Sequence, residues 1–253
     1  MAPWPLISLA GVGIGLLMGF FGVGGSSVAT PLLSLLGVPG LAAVASPLPA
    51  TIPSAMIGAL PYVRSGEARP KAAAWSLLGA VPATVVGGLL SQAIGGGALL
   101  VASGVVLVVV GVRVMLPIED AAREVGARRR LNRPVLVGAT AGVGLVTGLL
   151  ANGGAFLLMP LYLLVFGLRM RQAVGTSLVV VAGLSIPTLV THWGLGHIDW
   201  GVSAALLAGQ VPAGFVGSRL SRRIEGPGVA RRAFGRFLVA FGVLFTIYRL
   251  VAS

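Results

Sequence analysis

Two Gly-Gly pairs carry the clearest chemical signal in the sequence. Gly24-Gly25 is followed by Ser26-Ser27, and Gly153-Gly154 is preceded by Asn152. Each pair interrupts an apolar run where a helix must break. Inside hydrocarbon, unwound backbone is tolerated only where protein or a water-filled cavity satisfies it. A helix restarting after the break leaves its first N–H groups free and its positive dipole end at the break. Two such starts converging at mid-depth would form an anion site of backbone N–H groups. Ser26, Ser27 and Asn152 would add side-chain donors. Close helix packing is the competing role for small residues. It is the preferred one for Gly11, Gly15 and Gly19, spaced four apart on one helix face.

A second group of polar residues lies downstream of each break. Ser46-Pro47-Leu48-Pro49-Ala50-Thr51-Ile52-Pro53 concentrates three prolines and is expected to depart from regular helix. Its counterpart begins Gly175-Thr176-Ser177. Hydroxyls of Ser46, Thr51, Thr176 and Ser177 beside irregular backbone suit a polar ligand, or they bond back to their own helix carbonyls. Gln210, just before Pro212, is either an amide joining helices or a ligand contact. His192, next to Trp193, is expected to pack or to sit at the membrane interface, and to be dispensable.

What is missing narrows the chemistry. Glu67, Glu119, Asp120, Glu124, Asp199 and Glu225 all fall in gaps between apolar runs. Cation pathways and proton relays normally use intramembrane carboxylates, so the sequence favours an anion driven by voltage alone. With two histidines and no cysteine, neither a metal centre nor an acid–base pair is expected. The reading is therefore no enzyme, no cofactor and no metal.

The elements that must hold these residues are membrane spans. Hydrophobic residues make up 56% and charged residues 9% of the 253, too few charges to cover a soluble domain. Residues 1–63 contain no charged side chain, about three times the ~20 residues of one crossing. The net charge of +12 resides in short gaps between apolar runs, as the positive-inside rule expects. Nucleic acid is therefore not an expected partner, whereas membrane lipid and a small inorganic or organic anion are. A homodimer is compatible with the sequence but not required by it.

The chain repeats itself. Gly15, Gly19, Gly24, Gly25 and Pro31 match Gly144, Gly148, Gly153, Gly154 and Pro160 at a spacing of 129. At 130, Gly37, Gly66, Gly79, Pro82 and Gly87 match Gly167, Gly196, Gly209, Pro212 and Gly217. This layout predicts an all-α polytopic protein with repeats over 1–116 and 134–253 and an Arg-rich cytoplasmic linker over 117–133. Each repeat should be a Gly-Gly-broken helical hairpin plus three transmembrane helices. The first repeat predicts helices over 6–22, to 36, 41–63, 70–91 and 97–115. The second predicts them over 134–151, to 166, 172–194, 200–220 and 234–252. Lys and Arg place 64–71 inside and its repeat partner 194–201 outside. The repeats are thus expected to be inverted, which puts a substrate site near the midplane.

At these residues the chain resembles the TauE/SafE family of sulfite and organosulfonate exporters. The resemblance rests on Gly19-Phe20-Phe21-Gly22-Val23-Gly24-Gly25 with Pro31-Leu32. Its echo is Gly148-Leu149-Leu150-Ala151-Asn152-Gly153-Gly154 with Pro160-Leu161, joined by Ala173-Val174-Gly175-Thr176-Ser177. It spans essentially the whole length. It implies a multi-pass exporter of sulfite, sulfoacetate or related organosulfonates in the bacterial inner membrane. At the first break Gly-Gly-Ser-Ser stands where many relatives have a further glycine. A membrane scaffold without transport is the alternative, should both breaks merely pack.

Overall fold

The computed structural model describes residues 4–21, 26–115, 133–151, 155–162, 166–223 and 228–252. Eleven helices and no strand occur among the described residues. They are α1 Trp4–Phe21, α2 Ser26–Leu35, α3 Gly40–Ala45, α4 Leu48–Arg64, α5 Pro70–Ile94 and α6 Gly96–Met115 in the first half. The second half holds α7 Arg133–Leu150, α8 Ala155–Pro160, α9 Met170–Gly194, α10 Trp200–Arg223 and α11 Gly228–Ala252. Five stretches are long and apolar enough to cross a bilayer: Gly40–Arg64, Pro70–Ile94, Arg133–Leu150, Arg171–Gly194 and Trp200–Leu220. The molecule is an all-α polytopic membrane protein. The linker expected over 117–133 lies outside the described residues except for Arg133, which opens α7.

The proline run disrupts less helix than the sequence suggests. The chain bends only at Ser46-Pro47, between α3 and α4, and Pro53 and Pro61 both lie inside α4. Pro49 falls in the first turn, where N–H groups have no intrahelical partner anyway. The Ser46 N–H donates to Ala42 O at 2.9 Å and the Thr51 N–H to Pro47 O at 3.0 Å, so helical bonding continues on both sides. In the other half α9 runs unbroken for 25 residues.

The main contacts exchange when the halves are exchanged. α1 packs on α10 as α7 packs on α5, α4 on α10 as α9 on α5, while α4–α9 and α6–α11 pair counterparts. Glycines set these contacts, and they do so at equivalent atoms. A Cβ on Gly19 would fall on the Gly214 carbonyl oxygen, and one on Gly148 on the Thr84 carbonyl oxygen. Gly79 faces the Val137 carbonyl as Gly209 faces the Ser8 carbonyl, and Gly87 faces Leu145 as Gly217 faces Leu16. Gly11, Gly15 and Gly19 thus act in packing.

Register gives direction. Gly11 lies on Leu206 and Gly19 on Gly214, so α1 and α10 run the same way. Gly58 meets Leu178 whereas Gly175 meets Tyr62, so α4 and α9 run oppositely. Gly104 meets Thr246 and Gly111 meets Gly235, making α6 and α11 antiparallel as well. Two apolar cores result, each built from both halves. One includes Ala43, Val44 and Leu48, and the other their counterparts Ala173, Val174 and Leu178.

Candidate functional site

Five of the candidate ligand residues, Gly24, Gly25, Asn152, Gly153 and Gly154, lie outside the described residues. Ser26 and Ser27 open α2. What the structure gives is the frame of both breaks. α1 ends at Phe21 and α2 begins at Ser26; α7 ends at Leu150 and α8 begins at Ala155. Ala151, at the mouth of the second break, has φ 48 and is buried. A non-glycine residue rarely occupies that left-handed region.

Ser46 and Thr176, equivalent in the repeat, tie helix starts. Ser46 Oγ accepts the Asp199 N–H at 2.9 Å, just before α10. Thr176 Oγ1 accepts the Arg69 N–H at 3.0 Å, just before α5. The Ser46 carbonyl also accepts the Ser203 hydroxyl at 2.9 Å. Because α4 and α9 are antiparallel, these two ties sit at opposite ends of α4. At 1.5 Å per residue, its length puts about 24 Å between them. The structure does not bring them to one point. Thr51 donates to Pro47 O at 2.9 Å and Ser177 to Val174 O at 2.9 Å, so both hydroxyl protons go to nearby carbonyls of their own chain segment.

Gln210 is different. It is wholly buried, and among the described residues its Nε2 donates only to Met18 Sδ at 3.7 Å and its Oε1 has no partner. Ser185 Oγ is the other buried polar side-chain atom without a partner among the described residues. A buried unpaired acceptor costs about 1–3 kcal/mol, a cost a bound donor or water would offset. Gln210 packs against α1 beside Gly15, on the helix that leads into the first break. A separate cavity of about 390 Å³ opens beside the turn after α4, lined by Val63, Gly66, Ala68, Arg69, Pro70, Ala73, Thr176 and Val179. Arg69 is its one charged wall among the described residues.

Of the two places expected for His192, packing and the interface, the structure gives packing: it is fully buried, with Nε2 2.9 Å from the Gly148 carbonyl oxygen and Nδ1 3.0 Å from His197 Nδ1. The exposed aromatics at this end are Trp193 and Trp200, packed edge-on with centroids 5.8 Å apart. The sequence pattern does not show the two histidines as a pair, because His197 follows the end of α9. The available signal was Gly196, whose left-handed φ of 70 folds the chain back over the last helical turn. Among the described residues no cluster of three or more His, Cys, Asp or Glu could hold a metal.

Comparison with known proteins agrees with this architecture. A probable membrane transporter protein, YjnA of Bacillus subtilis (strain 168), is 27% identical over 236 residues, covering 87% of this chain and 91% of its own. A probable membrane transporter protein of Xylella fastidiosa (strain Temecula1) is 27% identical over 248 residues, covering 95% and 93%. The Bacillus subtilis protein YunE, also a probable membrane transporter protein, is 23% identical over 243 residues. No solved structure matches the chain. The sulfite exporter TauE/SafE family matches residues 7–245, nearly the whole length and both breaks, and the chain belongs to that family of membrane proteins.

Proposed function

We propose that this chain exports small sulfur-containing anions, sulfite, sulfoacetate or related organosulfonates, across the bacterial inner membrane. The observation that carries the reading is the pair of Gly-Gly breaks at equivalent places in two halves whose counterpart helices run antiparallel. Read as inverted repeats over 1–116 and 134–253, the halves bring interrupted helices to the membrane midplane. Free N–H groups at each break receive the anion, with Ser26, Ser27 and Asn152 as donors and the Gln210 amide nearby. Ser46, Thr51, Thr176 and Ser177 shape the helices around that path. A cell interior that is negative drives a monovalent anion outward by about 2.3 kcal/mol per 100 mV. The unpartnered Gln210 Oε1 favours this reading over a non-transporting scaffold, which gains nothing from a buried unpaired acceptor.

Anion flux in proteoliposomes tests it. Gly25→Leu and Gly154→Leu should abolish flux while the proteins still insert and purify as one species. Asn152→Ala and Ser26→Ala should each weaken anion affinity by about 1 kcal/mol, the usual net worth of one hydrogen bond. Loss of folding in place of loss of flux would return both breaks to a packing role.

A further inference from the structure

His192 and His197 are the only histidines in the chain, and both are buried. Their Nδ1 atoms lie 3.0 Å apart. Hydrogen bonding fixes the tautomers of the neutral pair. The Gly148 carbonyl can only accept, so His192 Nε2, 2.9 Å away, must carry a hydrogen. Neutral His192 then offers Nδ1 as an acceptor, and His197 Nδ1 is the donor. Two donated bonds therefore run from the 195–199 turn to Gly148, four residues before Asn152.

In this arrangement one imidazole nitrogen remains to take a proton, His197 Nε2. Protonation there makes His197 an imidazolium whose Nδ1–H still donates to His192. A second proton, on His192 Nδ1, would set two N–H donors against each other at 3.0 Å. The pair accepts one proton. No competing charge faces it among the described residues. Residues 72–94 of α5, 134–150 of α7 and 4–21 of α1 contain no charged side chain. Tyr62 and Arg64 lie at the far end of α4, and Arg219 near the far end of α10. The Asp199 carboxylate, two residues from His197, accepts the N–H groups of Gly201 and Val202 at 2.9 and 3.1 Å. Burial holds the His197 imidazole below its ordinary value, which leaves the pair neutral at pH 7 and moves proton uptake into the acid range.

We propose that His192 and His197 form a one-proton binding site on the 195–199 side of the membrane, whose charge state tunes anion passage through the Gly148 carbonyl. The proton site stands on geometry alone, whereas the tuning rests on the transport reading. A positive charge joined to Gly148 by two hydrogen bonds favours an anion near that end of α7. By linkage, a bound anion favours the proton equally.

The test uses the full-length protein with ¹⁵N-labelled histidine in lipid nanodiscs, followed by NMR from about pH 8 to pH 4. At the upper end His192 should carry hydrogen on Nε2 and His197 on Nδ1. On acidification His197 alone should become imidazolium. Opposite tautomers, two rings that charge independently, or no uptake in that range overturns the site. In proteoliposomes, methanesulfonate flux should differ about fivefold between roughly pH 5 and pH 7.5, and His197→Gln should hold it at one level. Wild-type flux indifferent to pH overturns the tuning. Absence of methanesulfonate and sulfite flux at every pH overturns the transport reading and the tuning with it, and the NMR titration still decides the proton site.

Discussion

After α4, the Ser65 N–H donates to Pro61 O at 3.1 Å, Gly66 to Val63 O at 3.1 Å and Glu67 to Tyr62 O at 2.9 Å. After α9, Leu195 donates to Thr191 O at 3.1 Å, Gly196 to Trp193 O at 3.0 Å and His197 to His192 O at 3.0 Å. Both turns pivot on a glycine at φ 70, a conformation that disfavours any side chain. The side chains they carry have little in common. The first has Arg64, Arg69 and Lys71, with Glu67 paired to Arg171 of the other half at 3.4 Å. The second has no Lys or Arg, a buried histidine pair, and two tryptophans at the exposed edge. Backbone shape is set by glycine position and shared by both halves, whereas the side chains distinguish the two ends. Because α4 and α9 run oppositely, one backbone turn closes two opposite ends of the bundle, and the cations at one and tryptophans at the other suit the cytoplasmic and interfacial preferences of those residues.

The largest expected effect concerns those faces. Single cysteines in this cysteine-free chain, at Ser65 and at Gly194, should react with an impermeant maleimide from opposite sides of inverted and right-side-out vesicles. Both positions are exposed, and neither disturbs the left-handed glycine. Labelling from one common side would make the halves parallel in the membrane and remove the basis for a midplane site. Next in size is the shared backbone contact. Gly19→Leu and Gly148→Leu should each destabilise the protein in detergent by about 3 kcal/mol or more, because the added side chain meets a carbonyl rather than a movable neighbour. The two losses should be of similar size, because each added side chain meets an equivalent carbonyl. A clear mismatch in thermal or denaturant melts would break the equivalence of the halves.

Much of this frame is legible in the sequence, because glycine and proline act through backbone constraints that survive from one half to the other. The expected spans 70–91 and 172–194 became Pro70–Ile94 and Met170–Gly194, since charge and apolar runs limit where a span can end. The proline run over 46–53 misled. Proline count is visible, but whether each N–H was needed depends on where the helix starts. The site residues were harder. Ser46 and Thr176 were recognisable as polar groups near irregular backbone. Their bonds to Asp199 and Arg69, more than 100 residues away, follow from tertiary packing alone. The histidine pair needed both the turn and the position of Gly148.

A smaller effect sharpens the comparison at the starts of α5 and α10. Asp199 precedes α10 and its carboxylate accepts two N–H groups of the first turn. Arg69, its counterpart, makes no side-chain cap to α5, which instead begins with Pro70 and so lacks one of the orphan donors. Asp199→Ala should therefore cost about 1 kcal/mol, whereas Arg69→Ala should stay within about 0.5 kcal/mol, both read from denaturant midpoints. Equal losses would mean that the Asp199 cap contributes little in its membrane setting.

The smallest effect lies at the breaks. Repeat alignment sets Ala151 opposite Gly22, and Ala151 holds φ 48 with its methyl buried in one of the two cores. The left-handed conformation costs an alanine roughly 1–2 kcal/mol. Burying the methyl returns about 0.8 kcal/mol, and alanine is also less disordered than glycine when unfolded, worth about 0.4–1 kcal/mol. These contributions nearly cancel, which explains how alanine is tolerated at a position suited to glycine. Ala151→Gly should therefore change stability by less than about 0.5 kcal/mol, measured by the same melts. A gain well above that would mean the methyl packs too poorly to offset the strain. A loss of more than about 1 kcal/mol would mean the chain at the second break is held by that methyl, and glycine alone would then not account for the shape of either break.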